Sequence, residues 1–212
     1  MPDSVAMTDI SRTTFNVADL ELNDRYKLTT GLVTPRPIGW IGTYGPDGVA
    51  NLAPYSFFQA VGVNPPVLIF SAVIAGGQVK DSLANVRTSG VFTANIVTHS
   101  LTAAMNETAA SVDSSVSEFG LAGLTAQQFG SVDAPGVAEA SAVLECRVID
   151  EKPLGEPPME SAVVFGEVVA FHVADAVLDG TCIDTEALDS VGRLAGTEYS
   201  TTKDRFSLER PA

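Results

Sequence analysis

The sequence predicts a mainly β protein, a barrel or sandwich with peripheral helices, and three observations carry that prediction. Runs of β-branched and apolar residues bounded by Gly, Pro or Asp outnumber helical patterns. They follow one another through turns rather than alternating with helices, which disfavours a βαβ sheet. Between two of them stands Gly45-Pro46-Asp47-Gly48, whose Pro-Asp-Gly chemistry makes a hairpin turn.

In chain order, Ile38 to Tyr44 reads as the first strand, and Val49-Ala50-Asn51-Leu52 returns beyond the turn. Val67 to Val73 and Val91 to Val97 read as strands, as do Ala142 to Ile149 and Ala162 to Val173. Helical pattern is scarcer. Asp81 to Thr88 has Asp81 as N-cap, Leu83 and Val86 three apart, and Gly90 placed to end it. His99 to Ala110 carries Leu101, Met105 and Thr108 at helical spacing, and Asp184 to Leu194 offers Ala187, Leu188 and Val191. The segment from Ser111 to Gly136 has no sustained period and reads as a surface loop with a short helical turn near Thr125 to Phe129. No repeat or low-complexity linker divides the chain, so residues 1–212 are read as one domain.

Composition removes several function classes. Twenty-six acidic residues against twelve Lys and Arg give a net charge of −14, which repels phosphate backbones and anionic lipid. Neither a nucleic acid nor a membrane is expected as a partner. The longest apolar run, from Val67 to Gly77, stops at Gln78 and Lys80, short of a membrane span. The first twenty residues show no basic region followed by an apolar one, so a cytoplasmic location with free thiols is expected. Two Cys (Cys146, Cys182) and two His (His99, His172) supply neither a disulfide scaffold nor a zinc site.

The usual catalytic signatures are missing. There is no GxSxG elbow, no phosphate loop ending in Lys-Ser/Thr, and no GxGxxG after a strand. His99 and His172 flank strand patterns and read as structural residues, and Cys146 reads as a buried, inert thiol. Three grouped segments are more informative: TPRPIGWIGT (34–43), NLAPYSFF (51–58) and GGQVKDSLANVR (76–87). Two prolines around Arg36 hold the chain extended and aim the guanidinium. The second segment joins Asn, Ser and a Pro kink to three aromatic rings. In the third, Lys80 stands just before a helix start, where free N–H groups and the helix dipole favour an anion. A flat aromatic ring carrying a phosphate suits this set.

PRPIGWIGT, NLAPYSFFQAV, the NPPVLIFS strand and KDSLANVRTSGVFTANIV, in this order and spacing, resemble the flavin reductase-like family of FMN-binding split-barrel proteins, flavoredoxin-type members included. Weaker matches run through Met105-Asn106, Glu118-Phe119, Gly123-Leu124-Thr125, Val143 to Cys146, Gly166 to Val169 and Arg193-Leu194-Ala195-Gly196 with Tyr199. The resemblance implies a split β-barrel and a homodimer with FMN near the subunit interface. Asn51, Leu52 and Ala53 would line the isoalloxazine through backbone groups, together with Ser56. Lys80, Asp81 and Ser82 would hold the phosphate end, with Asp81 capping the helix. Thr43 and Arg36 would face ribityl or phosphate, and Tyr199 would cover the ring or reach across the dimer. Ser82 stands where the family often has Thr, which keeps the hydroxyl, and the basic residue that the family tends to have near Gly136 is absent.

The function so implied is hydride transfer from NADH or NADPH to flavin N5 and onward transfer of electrons, to a partner monooxygenase or another acceptor. The ring does the redox chemistry and the protein supplies position and electrostatics. Two alternatives stay open: a flavin-binding electron carrier without turnover, and a barrel for another aromatic cofactor such as haem or a deazaflavin.

Overall fold

The computed structural model describes residues 10–211. Residues 1–9, which open the stretch read for a leader, and residue 212, the end of the predicted domain, lie outside it. Seven antiparallel strands form one curled sheet: β1 (Gly39–Tyr44), β2 (Ala50–Tyr55), β3 (Phe58–Val63), β4 (Pro66–Ala75), β5 (Val91–Ile96), β6 (Ala142–Glu156) and β7 (Met159–Val173). Their order across the sheet is β2-β1-β5-β6-β7-β4-β3. The edge strands β2 and β3 are consecutive in the chain, so the two edges meet at the corner Ser56-Phe57 instead of closing through a ladder. Phe57 O accepts from Ser71 N at 2.9 Å and fixes that corner. The strand pattern predicts a barrel or sandwich, and the structure is the split barrel that the resemblance implies.

Period-2 alternation divides the core. Trp40 and Ile41 are both fully buried, yet they belong to separate clusters on opposite faces of β1. Ile41, Phe58, Phe70, Phe92, Cys146 and Val164 fill the barrel, and Leu83 and Val86 of helix α2 (Asp81–Ser89) close it. Outside, Trp40 and Leu52 pack with Val97, Met105 and Phe119. Trp40 Nε1 donates to Thr108 Oγ1 at 2.8 Å, which satisfies the indole inside that cluster. Gly166 lies at a register shift in β7, and a Cβ there would come within 2.4 Å of the Phe92 ring. The bulge lets the barrel curl onto an aromatic core.

Several elements differ from the sequence reading, each for a local reason. Helix α1 (Leu22–Leu32), which precedes the first predicted strand, buries only Thr30 and so carries no apolar stripe to read. In α2, Lys80 rather than Asp81 holds the N-cap position. Lys80 O accepts from Ala84 N at 3.0 Å, which makes Asp81 the first helical residue. Gly90, with φ 69°, ends the helix as predicted. His99 to Ala110 breaks into a 3₁₀ turn (His99–Leu101) and α3 (Thr102–Glu107). Thr125 to Phe129 is not a helical turn: Ala126–Gln128 pairs with Pro135–Val137 as a small hairpin, and the helix lies earlier, at α4 (Glu118–Leu121). Asp184 to Leu194 is helical only in α5 (Thr185–Leu188). Asp189 adopts φ 43° and stops it, and Val191–Arg193 becomes a strand. That strand joins Arg36–Pro37 and Tyr199–Thr201 in a three-stranded sheet beside the barrel. β6 and β7 run on past Ile149 into a hairpin whose ends, Glu156 and Met159, pair directly.

Candidate functional site

β2 is a sheet edge, so part of its backbone N–H and C=O row has no ladder partner. Pro54 is tolerated there for the same reason. Two clefts open along this strand and share Pro54 and Ala109. The first, of about 440 Å³, is walled by Asn51, Ala53 and Tyr55 of β2, by Lys80, Asp81 and Ser82 at the start of α2, and by Glu118 and the Thr108–Val112 stretch. The second, of about 290 Å³, has Arg36, Ser56, Asn106, Arg193 and Tyr199 among its walls.

Behind the first cleft lies a buried polar network. Glu118 accepts from Asn51 Nδ2 at 3.0 Å on each carboxylate oxygen and from the Leu52 amide at 3.0 Å. Asn51 Oδ1 in turn accepts from Ser82 Oγ at 2.9 Å and from Thr43 Oγ1 at 3.2 Å, and Asn85 Nδ2 donates to Thr43 Oγ1 at 3.1 Å. All five side chains are buried. The network ties α2, α4, β1 and β2 together, so the cleft wall is held before any ligand arrives. Tyr55 stacks against Phe70 with ring centroids 5.0 Å apart. Burial pushes its phenol up to about 12; the nearby Ser82 hydroxyl works against that, and the charges of Asp81 and Glu118 add to it. The phenol therefore stays protonated at neutral pH.

The residues predicted from sequence divide between the clefts. Asn51, Ala53, Lys80, Asp81 and Ser82 meet in the first, and Arg36, Ser56 and Tyr199 in the second. Thr43 and Leu52 reach neither: the Thr43 side chain is fully buried in the network, the Leu52 side chain packs in the outer core, and the Leu52 amide is spent on Glu118. The expectation for these two is corrected to support of the wall: alternation along β2 turns the Leu52 side chain away from the opening, and Thr43, on the same face as Asn51, is covered by Asn51 and Asn85. Arg36 is 6% exposed, and carbonyls of Thr30 (2.5 Å), Val33 (2.8 Å) and Leu194 (3.1 Å) hold its guanidinium.

Sequence reasoning missed Glu118, Asn85, Tyr55 and Arg193 as site residues. Asn85 was within reach, since Ser82 and Asn85 stand three apart on a helix whose Leu83 and Val86 are apolar. Glu118 sits in a stretch without periodicity and gave no such signal. His172 bonds buried Glu145, and burial pushes the Cys146 thiol up, in keeping with an inert core residue. Among the described residues no group of His, Cys, Asp and Glu could hold a metal ion, and no helix is long and apolar enough to cross a membrane.

A phosphorylated planar heterocycle fits the first cleft. The Lys80 N-cap position makes no side-chain bond to the first turn of α2, so that turn opens on the cleft with uncapped amides beside an ammonium. The adjoining β2 wall offers edge backbone and the surfaces of Ala53, Pro54 and Tyr55.

Comparison with known proteins identifies the family of this fold. A family model for the flavin reductase like domain matches residues 31–188. The structure of nitrilotriacetate monooxygenase component B from Bacillus cereus is 36% identical, with a TM-score of 0.91 over 94% of this chain and 100% of that one. The 2-nitrobenzoate 2-nitroreductase of Pseudomonas fluorescens is 27% identical, with a TM-score of 0.85 over 94% and 96%. A chain from Shewanella frigidimarina described as having a split barrel domain is 27% identical, with a TM-score of 0.79 over 92% and 96%.

Proposed function

The chain belongs to the flavin reductase-like family, and on that premise we propose that it is an FMN-dependent oxidoreductase that takes hydride from NADH or NADPH and passes electrons onward. The observation that carries this reading is the uncapped start of α2, with Lys80, opening on a cleft that is also lined by the free edge of β2. FMN supplies the ring that accepts hydride and releases electrons, so no acid–base triad is needed. Lys80 and the amides of the first α2 turn bind the phosphate, and Asp81, first in the helix, complements the dipole. Backbone groups of Asn51 and Ala53 orient the ring, aided by Ser56 from the adjoining cleft. Thr43, Ser82 and Glu118 hold that wall rigid. The similarity to a monooxygenase component B supports a separate oxygenase as electron acceptor.

Lys80→Ala tests the placement. A charge-assisted contact to phosphate is worth about 1.5 to 3 kcal/mol. The variant should bind FMN roughly tenfold to a hundredfold more weakly and riboflavin, which lacks the phosphate, almost as well as the parent protein. Equal losses for both ligands would move the phosphate elsewhere. Tight FMN binding by the parent protein without oxidation of NADH or NADPH would make it a carrier instead of an enzyme.

A second copy of the chain is the proposed partner. Val63 on β3 is 92% exposed and Phe171 on β7 is 59% exposed, both beside the barrel's apolar strands. Light scattering at micromolar concentration with FMN should report a dimer; a monomer would remove the interface from the proposal.

A further inference from the structure

The three-stranded sheet beside the barrel breaks a rule of strand pairing. Arg36 stands directly opposite Arg193, and Arg193 directly opposite Tyr199. Residues opposite one another share a face, so the three side chains form one row, and like charges placed this way oppose pairing. Arg193 packs favourably on the Tyr199 ring, but that contact gives no reason to set Arg36 opposite Arg193.

The cleft that the row enters sharpens the point. In a chain with 26 acidic residues against 12 basic ones, its walls carry two guanidiniums and no carboxylate. Neither arginine forms an ion pair among the described residues. Arg36 is fixed by three carbonyls, which satisfy hydrogen bonds and leave its charge uncompensated. Arg193 lies 4.5 Å over the Tyr199 ring and donates to the Tyr199 hydroxyl and, at 2.5 Å, to Gly196 O. A guanidinium has five N–H groups, and Arg193 Nε has no partner among the described residues. A rigid fork with spare donors, beside a second buried cation, is the geometry that recognises an oxyanion.

We propose that the second cleft is an oxyanion subsite that binds the carboxylate or phosphate of a small planar co-substrate, with Arg36 and Arg193 as its cationic wall and Tyr199 as its floor. Its contact with the first cleft at Pro54 and Ala109 places that molecule beside the flavin site, so the co-substrate role rests on the FMN reading above. The same chemistry would also suit the phosphate of the flavin itself, and the test separates the two sources.

The probe is benzoate, with neutral benzamide as its control, titrated by calorimetry into the full chain with and without saturating FMN. Benzoate should bind in both states, and benzamide at least about tenfold more weakly. Arg193→Met should cost benzoate roughly tenfold while FMN and riboflavin affinities stay within about twofold, and Arg193→Lys, which keeps the charge and loses the fork, should fall between. Equal binding of benzoate and benzamide, or binding of neither, overturns the subsite. A loss confined to FMN in Arg193→Met overturns it as well, by giving the arginines to the cofactor's phosphate. If Arg193→Met fails to fold, Arg193→Lys and the benzamide control still decide. Failure of the parent chain to bind FMN would sink the flavin reading alone, since benzoate titrated without FMN still reports on this cleft.

Discussion

Replacing Glu118 by alanine is expected to lower stability by about 3 to 5 kcal/mol, and to weaken flavin binding with it. Glu118 is 5% exposed and is the acceptor for both Asn51 Nδ2 and the Leu52 amide. Alanine leaves two buried donors unpaired, each costing about 1 to 3 kcal/mol. It also releases Asn51, whose carbonyl oxygen organises Ser82 and Thr43. The wall of the first cleft then loses its link between α2, α4 and β2. Glu118→Gln keeps the volume but turns an amide NH₂ toward Asn51 or Leu52, both donors, so a smaller loss of about 1 to 2 kcal/mol follows from one mispaired bond. Urea titrations of the three proteins, with unchanged slopes, measure the differences. An alanine variant within about 1 kcal/mol of the parent would show that the carboxylate does not organise the wall.

Glu118 also shows where sequence reading stops. β1, β4, β5 and the barrel's aromatic positions are legible because strands covered on both sides write apolar runs, IGWIGTY and PVLIFSAVI, bounded by turn residues. The Gly45 to Gly48 turn and Gly90 are legible because their chemistry is local. A four-residue helix held by one carboxylate on an amide 66 residues away leaves no local trace. The same holds for the row Arg36, Arg193 and Tyr199, which exists only because a three-residue strand pairs 157 positions back along the chain. Motif resemblance brought the right segments together, NLAPYS with KDS, but register decides which side chains face a cleft. Leu52 turns inward and Thr43, though opposite Asn51, is covered by Asn85, whereas Tyr55 and Arg193 line the openings.

Acid is expected to loosen the Ala126–Val137 hairpin through a single carboxylate, Glu145. It is fully buried and accepts from Ser131 N at 2.8 Å and Val132 N at 3.0 Å, and His172 Nε2 lies 2.6 Å away. The Phe129 ring packs against His172 with centroids 4.8 Å apart. Further along, Pro135 O accepts from Thr93 Oγ1 at 2.6 Å, and Val137 N donates to Asn95 Oδ1 at 2.8 Å. The hairpin is thus fastened to the barrel by polar bonds as well as by the buried Val132, Ala134 and Val137 side chains. Burial pushes the Glu145 carboxyl up, but the bonds from His172, Val132 and Ser131 outweigh it and hold the group below its usual range. A carboxyl depressed in the folded state contributes fully above its unfolded pKa of about 4.3. That contribution is lost as pH falls through the lower, folded value. Glu145→Gln loses part of it at every pH, because its amide accepts on one side only, and Glu145→Ala should cost about 2 kcal/mol at neutral pH by stranding the buried Val132 amide and the part-buried Ser131 amide. Urea stabilities from neutral pH down to about pH 3, compared between parent and Glu145→Gln, should converge as the acid limb is entered. Hydrogen-exchange protection of Ser131 and Val132 should fall first, because their acceptor is the group being protonated. Parallel stability curves for the two proteins, with both amides still protected in acid, would show that Glu145 is not the fastening.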